Sequence, residues 1–362
     1  RVVLSPAHRA LALEASRKSL VLLTNERGVL PLEGVTKLLV TGPGADDQSL
    51  LGDWSRRQPE ENVVTVVQGL RALAPAGVTL QHVATSALAH ITDGEIQAAA
   101  HAALAVDAVV VVVGENSLRD NPERTSGENV DRVSLDLPGR QSELVARLVQ
   151  SGKPVIVVLI NGAPLGSEWL VQNAAALLEA WEPGIAGGTA IAEVLFGKYN
   201  PSGRLAMTFP RSVGHVKSYY NHRPSAYHRG RLRFSSTEPL FRFGHGLSYT
   251  TFDYTAVRCA DSLRAGDGLE LELDVKNSGS RAGEDIVLLF VQDLFACVVR
   301  PVQELEAIAR VALEPGETKT LRLYLPAQAF SLLDKNMRRT IEPGEFKLSF
   351  GLGKLEKIVR VL

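Results

Sequence analysis

Asp107-Ala-Val-Val-Val-Val-Val-Gly114 breaks the alternation expected of a strand with one wet face. Apolar on both sides, it must be covered on both sides, as strands are in a parallel sheet packed between helices. Working outward, strand-like runs occur at Lys37–Thr41, Val78–Val83, Pro154–Asn161 and Ala175–Trp181. Helical patterns lie between them at Val66–Leu73, Asp93–Ala105, Gly139–Gln150 and Gly187–Phe196. Ser5-Pro6 reads as an N-cap followed by proline in the first turn, which opens a helix running toward Leu20. Strand alternating with helix predicts an α/β domain with a mostly parallel sheet over residues 1–210.

Beyond Pro210 the pattern changes. Residues 211–246 are polar, aromatic and irregular (Tyr219, Tyr220, His222, Tyr227, Phe234), and read as a packed, extended linker. Residues 247–362 show no helical period. Short strands are expected at Leu269–Asn277, Asp285–Gln292, Thr318–Leu325 and Glu345–Gly351. Asn277-Ser-Gly279 and the Pro-Gly pairs of Glu314–Glu317 and Glu342–Glu345 separate them, the pairs matching the residues a type II turn demands. This part reads as an all-β sandwich of the immunoglobulin or fibronectin III type.

Composition narrows the function classes. The 362 residues carry 39 Lys and Arg against 40 Asp and Glu, which argues against a nucleic-acid or anionic-membrane partner. The longest apolar runs fall far short of the ~18 residues of a spanning helix. Cys259 and Cys297 are too few for a disulfide scaffold or a cysteine zinc site; a single disulfide and two free thiols are both open. No histidine pair has metal-ligand spacing, and no cofactor motif occurs. Gly42-Pro-Gly44 lacks the third glycine of a dinucleotide fingerprint. The chain starts at Arg1 with no signal-like segment, so a missing upstream part is expected.

Ligands in such sheets bind beyond the carboxyl ends of the strands. That directs attention to the loop Glu115-Asn-Ser-Leu-Arg-Asp-Asn-Pro-Glu-Arg-Thr-Ser-Gly-Glu-Asn-Val-Asp-Arg132. It fits a solvated surface loop, and it equally fits a loop carrying a general acid/base. Composition does not choose. Trp54 and Trp181 read first as core residues, although Trp54, in Leu51-Gly-Asp-Trp-Ser55, sits among polar residues beyond a strand.

Further motifs point one way. They include Arg17-Lys-Ser-Leu-Val-Leu-Leu-Thr-Asn25, Gly42-Pro-Gly-Ala-Asp46, Gly52-Asp-Trp-Ser55, Gly114-Glu115, Leu137-Pro-Gly-Arg-Gln141 and Trp181-Glu-Pro-Gly184. The densest are Leu195-Phe-Gly-Lys-Tyr-Asn-Pro-Ser-Gly-Arg-Leu205 and Phe243-Gly-His-Gly-Leu-Ser-Tyr-Thr-Thr-Phe252. In this order, over essentially the whole chain, they resemble glycoside hydrolase family 3, most closely its bacterial periplasmic β-glucosidases. Ala206 departs from the pattern where proline is common.

The resemblance implies an α/β sandwich and a fibronectin III-like domain that normally follow a (β/α)8 barrel of ~250 residues. The barrel of that family carries the nucleophilic aspartate, and the sandwich lends the acid/base glutamate. By position ahead of Arg132 and Leu137-Pro138 that glutamate matches Glu128, with Glu123 and Glu115 as alternatives. Trp54, Arg124 and Arg132 are implied to contact substrate. The implied chemistry is hydrolysis of terminal β-D-glucosidic bonds with retention, needing two carboxylates ~5–5.5 Å apart and neither metal nor cofactor. The implied partners are a β-glucoside or oligosaccharide and a barrel on this or another chain, packed against the first helix and the Trp54 segment. A non-catalytic carbohydrate-binding role is the alternative. The family likeness suggests a periplasmic or secreted location, and the residues leave a cytoplasmic one open. Sugar, linkage and aglycone are not written in this chain, because those contacts belong mostly to the barrel.

Overall fold

The computed structural model describes residues 2–86, 88, 90–215, 218–225 and 236–362. It divides into two compact units, Arg1–Arg204 with Phe209–Val216, and Leu205–Thr208 with Lys217–Leu362.

In the first unit, helices α1 (Pro6–Ser19), α2 (Val66–Leu73), α3 (Asp93–Ala103), α4 (Gln141–Val149), α5 (Glu168–Asn173) and α6 (Gly187–Leu195) accompany a six-stranded sheet. Its strands are β1 (Val21–Thr24), β2 (Lys37–Thr41), β3 (Thr79–Val83), β4 (Ala108–Gly114), β5 (Val155–Ile160) and β6 (Ala176–Trp181). The spatial order is β1-β6-β5-β4-β2-β3, parallel except for β1 against β6. Every residue of β4 and β5 is buried, as the valine run requires. Local chemistry sets the helix starts. The Ser5 hydroxyl accepts from the His8 N–H, and Thr65/Gln68 and Thr92/Glu95 form reciprocal capping boxes.

Sheet order fixes where a ligand can sit. The chain leaves β2 toward β3 on one side and returns from β4 toward β5 on the other. Its loops therefore diverge between β2 and β4, which opens a crevice at their carboxyl ends.

The second unit is a sandwich. One sheet has the order β11 (Glu304–Leu313), β10 (Gly283–Asp293), β15 (Gly344–Phe350), β16 (Leu355–Val361), β8 (Ser262–Leu263). The other has β12 (Thr318–Leu325), β9 (Leu269–Asn277), β7 (Phe252–Cys259), and β13 (Leu332–Leu333) pairs with β14 (Arg339–Thr340) apart from both. Alternate residues such as Leu271, Leu273 and Val275 of β9, with Val287, Leu289 and Val291 of β10, fill its core. The type II expectation holds at Gly316, with φ 78°, and fails at Gly344, which starts β15 without a left-handed backbone. Cys259 and Cys297 are both free thiols, which resolves the open alternative. The described part of 211–246 contains one short 3-10 turn, Val213–His215; Tyr227 and Phe234 lie outside the described residues.

Glu179, in the middle of β6, is fully buried, and burial pushes its carboxyl up to about 8. Its oxygens accept from the Trp181 N–H at 2.8 Å and from Asn161 Nδ2 at 3.2 Å. A carboxyl whose folded pKa is raised contributes its full stability below the unfolded value and loses it as pH rises through the folded one. Stability should therefore fall between about pH 4.5 and pH 8, and Glu179→Gln should flatten that fall in a series of thermal melts. Parallel curves for variant and parent would rule out a proton on Glu179.

Candidate active site

The loop after β4 stands on a polar base. Glu115, its first residue, is buried and ion-paired with Arg132 at its far end, which ties the neck. Arg132 also donates to the Ser134 carbonyl at 2.7 Å. Beneath the neck, Gln141 acts as a substitute peptide for the last residue of β4. Its Oε1 accepts from the Gly114 N–H at 2.8 Å and its Nε2 donates to the Gly114 carbonyl at 2.9 Å. This gives the glutamine that closes Leu137-Pro-Gly-Arg-Gln141 its structural role. Ser117 donates to Glu182, so the motif glutamate after β6 grips the same loop.

The loop after β2 meets it. Gly52 has φ 80°, and a Cβ there would lie 2.3 Å from Glu182 Oε2, so only glycine fits. The chain then turns Asp53 and Trp54 toward the β4 loop. Asp53 Oδ2 accepts from the Glu128 N–H at 2.7 Å, and Asp53 Oδ1 pairs with Arg119 Nε at 3.0 Å and Arg124 Nη1 at 3.9 Å. The Glu128 N–H foremost, then the Trp54 N–H and the two guanidiniums, hold the Asp53 carboxyl below the usual range.

Arg119 completes the cluster. It pairs with the Glu128 carboxylate, and its guanidinium lies over the Trp54 ring at 3.9 Å, in cation–π range. Trp54 is 74% exposed, so it is not a core residue as first expected. Trp181 is the inward tryptophan, edge-on to Phe209 at 5.7 Å. Glu128 is half-exposed at the rim. Arg124 turns inward and donates to the Glu128 carbonyl at 3.0 Å. Glu128, Trp54 and Arg124 therefore come together, whereas Arg132 is committed to Glu115 at the neck. Glu123 stands apart, 3.5 Å from His90, and lines a polar cavity of about 220 Å³ with Asp46, Asp47, Arg57 and Asn116. That cavity is the crevice between β2 and β4. A larger one, about 520 Å³, belongs to the second unit, among Tyr220, Arg242, Gln292 and Lys347. It lies at no carboxyl edge of a parallel sheet and holds none of the candidate carboxylates. Among the described residues, no group of three or more His, Cys, Asp or Glu side chains could hold a metal ion.

Residues 20–249 match the model of the glycosyl hydrolase family 3 C-terminal domain, and 285–353 that of a fibronectin type III-like domain. The chain belongs to glycoside hydrolase family 3. A β-xylosidase of Formosa agariphila is 38% identical across 95% of this chain and 48% of its own length. A periplasmic β-glucosidase of Salmonella typhimurium is 34% identical across 96% and 49%. A β-glucosidase from Listeria innocua, solved in complex with isofagomine, superposes with a TM-score of 0.91 at 32% identity, over 100% of this chain and 51% of that one. The chain spans about half the length of the curated relatives it matches.

Sequence reasoning singled out Glu128 and Trp54 but missed Asp53 and Arg119, which join them. The glycine before Asp53 was the available signal.

Arg132→Met leaves the Glu115 carboxylate buried without its partner and should cost about 3–5 kcal/mol in urea unfolding. Adding Glu115→Leu should recover much of that loss. A single-variant cost below about 1 kcal/mol would mean that the neck pair is solvated.

Proposed function

We propose that this chain supplies the acid/base half of a retaining β-glycosidase site. The observation that carries the reading is the juxtaposition of a half-exposed Glu128 with an exposed Trp54 through one guanidinium, on loops leaving the carboxyl edge of the sheet. Trp54 offers an aromatic face to a sugar ring. Glu128 offers a carboxyl that protonates the leaving oxygen and later deprotonates water. The nucleophilic aspartate comes from a barrel, on this polypeptide or another, seated against a face that includes the exposed Leu11 and Trp54. The substrate class is a terminal β-D-glucoside, with the closely related β-D-xyloside admitted because relatives carry both names. A periplasmic or secreted location accords with the name of one relative, and among the described residues no helix is long and apolar enough to cross a membrane.

In a protein containing both barrel and chain, Glu128→Gln should slow substrates with poor leaving groups by about 10²–10⁴-fold. Activated aryl glycosides should be hit less in the glycosylation step, and azide should restore turnover as a glycosyl azide. If Glu123→Gln gives that pattern and Glu128→Gln behaves as wild type, the acid/base lies in the crevice instead.

The 362-residue chain alone should leave aryl β-glucosides intact, since double displacement needs two carboxylates. Robust turnover by it would demand a nucleophile within this chain. Sugar binding without turnover in the barrel-bearing protein would favour the carbohydrate-binding alternative.

A further inference from the structure

Several contacts join the two loops, among them the Arg119 N–H on the Ser55 carbonyl at 2.9 Å and the Arg57 N–H on Asp120 at 3.1 Å. One of them rests on a carboxylate that the reaction itself does not use. Asp53 is only lightly exposed; both of its oxygens engage the neighbouring loop, and Oδ1 also accepts from the Trp54 N–H at 2.8 Å. One receives the backbone N–H of Glu128, and the other faces the guanidiniums of Arg119 and Arg124. Those arginines return to the same residue. Arg119 reaches the Glu128 side chain, and Arg124 donates to the Glu128 carbonyl. Glu128 is thus held at N–H, C=O and carboxylate by a single three-residue cluster. The packing leaves no slack: a Cβ on Gly127, whose φ is 106°, would come 2.9 Å from the Asp53 carboxyl carbon. A carboxylate fits this place better than an amide, because every neighbour of Asp53 within bonding reach is a donor.

We propose that Asp53 is a positioning residue, fixing the backbone of Glu128 and aiming Arg119 so that the Glu128 carboxyl is presented beside Trp54. This rests on the reading of Glu128 as the acid/base. Misplacing a catalytic group by about 1 Å can cost on the order of 10²-fold, so a backbone clamp is as consequential as the group it holds.

The test uses the protein that carries both barrel and chain. Asp53→Asn replaces one acceptor by a donor facing donors. It should lower kcat/KM by ~10–10²-fold for an alkyl β-glycoside and by no more than ~3-fold for the dinitrophenyl β-glycoside, whose leaving group needs little protonation. Gly127→Ala, which keeps every charge and pushes against Asp53, should reproduce the same selectivity even if Asp53→Asn folds poorly. Hydrogen exchange of the Glu128 amide should accelerate in both variants. Equal losses on the two substrates, or none, with Glu128→Gln still showing leaving-group selectivity, would overturn the positioning role while sparing Glu128. If Glu128→Gln shows no such selectivity, the acid/base reading falls and this inference with it.

Discussion

A buried ion pair at the base of a long polar loop is the constraint on which the rest of the site depends. The segment from Glu115 to Arg132 is polar or charged almost throughout, and only a few of its side chains, Leu118 among them, reach the core. Ordering such a loop costs conformational entropy that apolar burial cannot offset here. Pairing Glu115 with Arg132 makes the neck stiff, and Gln141 continues the β4 ladder where the strand ends. Neither contact touches the rim of the loop. They set the height and direction from which Arg119, Arg124 and Glu128 depart.

Above the neck, electrostatics takes over from burial. Two carboxylates and two guanidiniums alternate across the rim, so no charge lacks an opposite neighbour. Ion pairs this near the surface contribute little stability singly. Their value is geometric: they bring together loops that start on neighbouring strands, at the place where the sheet's winding leaves a crevice.

Much of this architecture was legible in the residues. Strands buried on both faces and helices with capping boxes announce themselves by period and by punctuation, and β2, α2, β9 and β12 fall on their expected bounds. What escaped lacks such signals. β1 is four residues long and follows α1 without a turn. β11 is half-exposed for most of its length at the edge of its sheet, so its alternation is faint. At the site, the Glu128 segment could be found because it stands between two motifs. The partnership of Asp53, Trp54 and Arg119 could not, since it joins positions far apart in the chain through a stacking that only the fold creates. The pairing of Glu115 with Arg132 was hidden for the same reason, although both residues had been singled out.

The two margins of the parallel sheet are treated differently, and this bears on how the polypeptide avoids aggregating as it folds. β1 closes one margin as an antiparallel, wholly buried strand. The other margin is β3, Thr79-Leu-Gln-His-Val83, short and at most half-buried, with Thr79 and Gln81 exposed. Edge strands are where sheets recruit further strands, and brevity with polar side chains is a common protection. The valine-rich strands that would polymerise most readily are kept in the interior, at β4 and β5. The most hydrophobic part of the chain is therefore never the part that a neighbouring molecule meets first once the sheet has formed.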